Sequence, residues 1–246
     1  VIIQAIFFLS ESKFLNIDSY NILLLSMILF LVLILLALRR VSMESINELL
    51  NQENINEIFL AKSFRYNLAI FCLLLYGFVE LFFPNNSTLA YICFACGSAT
   101  FALLNDFVLK DNNILFKPFV LYIISTISIT AIGFFFLAFN YLFELNITNH
   151  FRHFLTTGSF GMVFYVIMII VSTIHTGRKI FTNWALTLGL ILIIIATFMR
   201  AFIPFYIEYS MALYILSSII WAIPFIIYMK IFFPFLLQVR ADGIKG

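Results

Sequence analysis

Apolar residues along this chain fall in long blocks rather than in stripes. Polar positions gather in short stretches between the blocks. A helix crosses ~30 Å of hydrocarbon with ~20 mostly apolar residues. Seven blocks meet that length: 20–38, 67–83, 89–109, 119–143, 154–174, 183–203 and 211–233. None alternates apolar and polar residues with the period of two that a membrane β-barrel requires. The pattern predicts an all-α polytopic transmembrane helical bundle of about seven spans. The apolar run Val1–Leu9 reads as the tail of a further, truncated N-terminal helix. With no linker and no repeat, residues 1–246 are treated as a single membrane domain.

The polar stretches sort by charge. If the spans alternate, one side holds Arg39, Arg40, Lys62, Arg65, Lys110, Lys117, Arg178, Lys179, Lys230, Arg240 and Lys245, and the other only Lys13, Arg152 and Arg200. The positive-inside rule makes the first side, and with it the C-terminus, cytoplasmic. The long loop 39–66 is on that side. Its centre, Glu44–Glu57, sets four Glu among Ile46, Leu49, Leu50, Ile55 and Ile58. That spacing suits a short amphipathic helix lying at the membrane surface, or a solvated connector with some helicity.

Composition points the same way and removes other classes. Hydrophobic residues make up 63% of the chain and charged residues 11%, against about 25% charged in soluble domains. Mean hydropathy is +1.09. The bilayer is therefore the solvent for most of the chain. A net charge of +2, with its basic residues scattered, excludes a nucleic-acid binder. The three cysteines all sit in apolar runs and make no secreted disulfide framework.

Candidate chemistry centres on histidine. His153 begins the fifth block and His175 closes it. At ~1.5 Å per residue they stand roughly 33 Å apart, one at each membrane boundary, so they cannot share one metal within a chain. Neutral imidazole ligates haem iron and copper; boundary histidines also hydrogen-bond to headgroups and backbone. The run from His153 to Met162 reads H-F-L-T-T-G-S-F-G-M. After it come Ile174-His175-Thr176-Gly177-Arg178, then Arg200, Trp221 and a closing Arg240-Ala-Asp242-Gly243-Ile-Lys-Gly246. In order, these resemble the H-x-L-T-x-G-x-x-G, G-H-T-G-R and R-P-D-G-x-x-G motifs of the NnrS family. The resemblance is strongest over 150–246. Arg65-Tyr-Asn67 is a fainter echo of the family's R-R-N at the start of a span. The family's histidine-rich N-terminal helix with H-x-H-E and its G-G-R-x-x-P-x-F-T motif have no counterpart here. Ile170 and Ile174 replace an arginine and a glycine near the H-T-G-R motif.

The resemblance implies a haem- and copper-containing protein of the bacterial inner membrane. It also implies a role in the response to nitric oxide and nitrosative stress, often alongside denitrification. Under it His153 and His175 are metal ligands, and Arg178 and Arg200 are partners for haem propionates. Gly158 and Gly161 clear a stripe for a flat macrocycle or for a neighbouring helix. The departures leave room for a degenerate relative without metal, or for a need of a partner chain or of an N-terminal half. A cofactor-free small-solute transporter or membrane scaffold is the reading from another class. Its polar midspan residues would be Ser125, Ser128, Thr130 and Ser217–Ser218.

Three further expectations come from the residues themselves. Arg200 lies at membrane depth against the charge bias, where an ionisable group needs a partner. Glu80 is the expected one, a propionate the alternative. Cys93-x-x-Cys96 places two thiols on one helix face, a Cu(I)-compatible pair or two small apolar residues. Asn105, Asp106, Asn140 and Glu144 sit at span ends, where solvation accounts for them. No nucleophile–base order and no phosphate-cradling glycine loop points to an enzyme.

Overall fold

The computed structural model describes residues 2–15, 18–84, 86–109, 114–181 and 183–243. Val1, Lys110, Lys245 and the closing Ile244 and Gly246, which figure in the sequence reading, lie outside the described residues. Among the described residues the structure is helical and contains no strand. Its helices are α1 (Ile2–Glu11), α2 (Ser19–Gln52), α3 (Ser63–Phe82), α4 (Thr88–Phe101), α5 (Pro118–Leu142), α6 (Thr148–Phe151), α7 (Gly161–His175), α8 (Trp184–Ala201) and α9 (Ser210–Leu237). A 3-10 turn, Ala102–Phe107, prolongs α4. A π-helical segment, Phe154–Phe160, joins α6 to α7, and a second 3-10 turn, Ile203–Tyr209, precedes α9.

Seven of these stretches are long and apolar enough to cross a membrane, as the blocks predict. Neighbours in sequence pack together: α2 on α3, α3 on α4, α4 on α5 and α8 on α9. The fifth span, Thr148–His175, runs up the middle and touches α2, α5, α8 and α9. Of the seven spans the last is the least buried, and in α9 only Ser217, Pro224, Tyr228 and Phe232 are covered.

The chain departs from the sequence reading at the loop after the first span. α2 does not stop near Leu38 but continues unbroken to Gln52. No Gly or Pro interrupts it, and its inward stripe persists through Leu38, Ser42, Ser45, Ile46, Leu49 and Leu50. That stripe packs on the bundle instead of lying flat on the membrane. Asn47 clips the return segment onto it, donating to the Phe59 carbonyl (3.1 Å) and accepting from the Phe59 amide (2.8 Å). Phe59 is fully buried against Phe107, with ring centroids 5.1 Å apart.

Solvation also fails to account for two of the span-end polar residues. Asp106 is buried; it accepts the Lys62 amide at 3.0 Å and pairs with Arg65. Asn140 is buried too, donating to Thr148 Oγ1 (2.7 Å) and accepting the Ile147 amide (2.9 Å). Both satisfy backbone groups where the chain turns between spans, which a buried turn requires.

Candidate functional site

The bundle has two unlike ends. One carries Arg39, Arg65, Lys117 and Arg178; the other carries Arg152, Arg200 and the paired histidines His150 and His153.

At the second end, charge is buried and shared among four helices. Glu80 is 2% exposed. Its Oε1 accepts from Tyr76 of α3 (2.5 Å), Tyr141 of α5 (3.1 Å) and the Arg152 guanidinium (2.6 Å). Arg152 in turn donates to Tyr20 of α2 (3.2 Å). This corrects the expected Glu80–Arg200 pair. Glu80 faces the fifth span, where Arg152 arrives first, while Arg200 closes α8 and looks toward α9. A cavity of about 530 Å³ opens beside this pair, with Asp18, Asn149 and His150 in its wall.

Arg200 has other company. Its guanidinium lies 5.0 Å over the Tyr214 ring, and Nη1 donates to Ser218 Oγ (3.1 Å). Its Nε is buried without a partner. A cavity of about 320 Å³ is lined by Thr156, Thr157, Arg200, Ser217, Ser218 and Trp221. His153 lies one helical turn before Thr157 of that lining; its imidazole is half-buried and its Nδ1 is 3.4 Å from Thr157 Oγ1. The His150 ring centroid is 6.2 Å from that of His153.

The two glycines of the histidine motif serve neighbouring helices here. A Cβ on Gly158 would come within 2.8 Å of Ile129 and 2.9 Å of Thr197. One on Gly161 would come within 2.7 Å of the Trp221 indole nitrogen. The indole needs that space, because it donates to the Thr157 carbonyl at 3.0 Å.

His175 ends α7 at the opposite end of the bundle and is exposed. Arg178 beside it is engaged with the C-terminal segment: it lies 4.2 Å over Phe235 and donates to Gln238 (2.9 Å). Ala241 donates its amide to the Thr176 carbonyl (3.0 Å). Asp242 sits against Gly177, whose φ of +67° only glycine adopts freely. The hydrogen bonds from Arg240 to Asp242 raise the arginine's pKa further. So the H-T-G-R and R-x-D-G motifs, which begin at His175 and Arg240, form one turn-and-strap.

A family model described as NnrS protein matches residues 1–240. The chain belongs to the NnrS family. The match reaches well beyond the C-terminal part in which the motifs are legible. No curated protein and no solved structure matches the chain. In this NnrS protein Arg200 and Trp221 line one cavity, with His153 beside its Thr157 and Gly161 against Trp221, whereas His175 and Arg178 lie at the other end. Sequence reasoning passes over His150, and it reads Ser218 as a midspan residue and Thr157 as part of a motif rather than as site residues. The His150-x-x-His153 spacing is the one visible signal for His150. Among the described residues, no three His, Cys, Asp or Glu side chains come together as a metal site. Cys93 and Cys96 are both fully buried.

Proposed function

We propose that this NnrS-type membrane protein holds a haem beside His153 and serves the response to nitric oxide. The observation that carries this reading is an orphaned buried guanidinium nitrogen, Arg200 Nε, at a cavity whose lining residue Thr157 lies beside the half-buried imidazole of His153. An unpartnered buried donor costs about 1–3 kcal/mol, and an anionic group beside Arg200 would remove that cost. The residues present therefore suit a haem edge bearing carboxylates.

In this account His153 ligates through Nε2, while Thr157 orients the ring through Nδ1, as second-shell partners of metal-bound histidine do. Arg200 donates to a propionate, and the hydroxyls of Thr156, Thr157 and Ser218 line the approach. Trp221 closes the inner wall. Bound haem would supply an iron able to take nitric oxide. The charge asymmetry favours a site at the outer face of the bacterial inner membrane, with the C-terminus cytoplasmic. Copper at Cys93 and Cys96 has less behind it, since among the described residues no third His, Cys, Asp or Glu joins them as a metal site.

A second reading, a cofactor-free scaffold, has one observation in its favour: side chains already fill the space above Gly158 and Gly161. An absorption spectrum decides between them. The detergent-purified protein, made with ample haem, should show a Soret band that shifts on dithionite reduction. The band should disappear in His153→Ala and persist in His175→Ala. A folded, helical and colourless protein refutes the haem reading and leaves the scaffold.

A further inference from the structure

At the Arg178 end, a groove of about 420 Å³ runs between the extension of α2 and the turn after α7. One wall is acidic, with Glu44 and Glu48 one helical turn apart. The other is basic in net charge, with Arg178, Lys179 and Arg240, the last paired with Asp242 in the same wall. The walls do not close on each other. Glu44 pairs with Arg40 on its own helix (3.1 Å), and Glu48 accepts from Gln52 (2.9 Å). Among the described residues no ion pair joins Glu44 or Glu48 to the basic wall. Opposed walls of this kind reject a net-charged ligand. An anion meets two carboxylates, and a cation meets three basic groups.

The groove also stands where a membrane would end. α7 terminates at His175, and the long apolar run of α2 gives way to Arg39 and Arg40. Directly below, α2 and α7 are neighbours, the Phe30 ring lying 5.1 Å from Phe160 and 6.0 Å from Phe164. Leu33 and Leu36 of α2, and Val171 and Ile174 of α7, are exposed on that apolar surface. Ile174 itself lines the groove.

We infer that this groove binds the headgroup of a zwitterionic aminophospholipid, with its acyl chains running down the α2–α7 seam. The headgroup ammonium donates to Glu44 and Glu48, and its phosphate accepts from Lys179 and Arg178. Carboxylates that need N–H donors favour a primary amine over a quaternary one, which has none. The inference is independent of any haem.

The test is thermal unfolding of the protein in nanodiscs of phosphatidylcholine, with a minor fraction of phosphatidylethanolamine or phosphatidylglycerol added. Phosphatidylethanolamine should raise Tm by about 3–5 °C, and phosphatidylglycerol by less. The rise should vanish in Glu44→Gln/Glu48→Gln and in Lys179→Ala, all of them exposed positions whose replacement leaves the fold intact. Equal Tm in all three bilayers would overturn the inference in favour of ordinary lipid solvation. A larger effect of phosphatidylglycerol would make this an anionic-lipid site. Equal stabilisation by soluble phosphoethanolamine in detergent would make it a solute site.

Discussion

Removing one partner of the Glu80–Arg152 pair should be among the most destabilising single changes in this protein. The side chains are 3% and 11% exposed, so neither charge can turn to water when the other is lost. Breaking a buried pair from one side costs about 3–5 kcal/mol. An exposed pair is worth about 0–1 kcal/mol. Arg152→Ala leaves the carboxylate with two phenol donors, Tyr76 and Tyr141, which soften the loss and favour the lower half of that range. Glu80→Gln keeps the shape and one acceptor but strands a buried guanidinium that retains only Tyr20 and Asn149. The double variant Glu80→Gln/Arg152→Ala should lose less than the two single losses added, because neither charge is then left unpaired. Thermal unfolding followed by circular dichroism reads all three. At about 2–4 °C per kcal/mol for a chain of this size, Arg152→Ala should lower Tm by roughly 6–15 °C. A loss equivalent to under about 1 kcal/mol would refute the reasoning, by showing that water reaches the pair.

Two smaller predictions concern the other contacts. Trp221→Phe keeps the ring but loses the hydrogen bond to Thr157, and should cost about 1 kcal/mol; chemical denaturation checks it, and an unchanged midpoint would mean that the bond contributes nothing. Gly177→Ala forces a side chain at positive φ into Asp242 and should cost about 1–3 kcal/mol. Hydrogen exchange should then quicken at Ala241, whose amide holds the strap to Thr176.

What the sequence makes legible is whatever depends on one helix at a time. Block length reveals the spans, because a membrane-crossing helix must be long and apolar. Charge bias separates the two ends for the same local reason. The continuation of α2 is hidden because Arg39, Arg40, Ser42 and Glu44 look like a solvated loop, while the buried stripe through Ser42, Ser45 and Ile46 is only half apolar. Asp106 and Asn140 read as solvated because each has a backbone amide among its partners, which leaves no mark in sequence, and because Arg65 lies on another helix from Asp106. Glu80 carries the signal of a buried charge, but its partner depends on which helices are neighbours, so Arg152 takes the place expected of Arg200. The meeting of His153, Arg200 and Trp221 joins three spans, and only family resemblance brings these residues together before the fold is known.

The π-helical segment explains why they meet. In an α-helix the Gly161 amide would bond to the Thr157 carbonyl. Here it donates to Gly158 instead, and the Thr157 carbonyl accepts the Trp221 indole. The segment is held from its other side by Ser159, whose hydroxyl lies 2.7 Å from that of Thr130. Gly161 completes the arrangement by leaving room for the indole. That contact ties α9 to the fifth span, beside its broader packing on α8. It sits on the same helix as Tyr214 and Ser218, the two groups that position Arg200. Helical irregularities of this kind recur at functional sites because they free a backbone group and redirect side chains. The irregularity next to His153 therefore sets two distances at once: α9 against the fifth span, and Arg200 against the imidazole. Loss of the indole contact should loosen both together, which ties the geometry of the candidate site to the packing of an otherwise lipid-exposed helix.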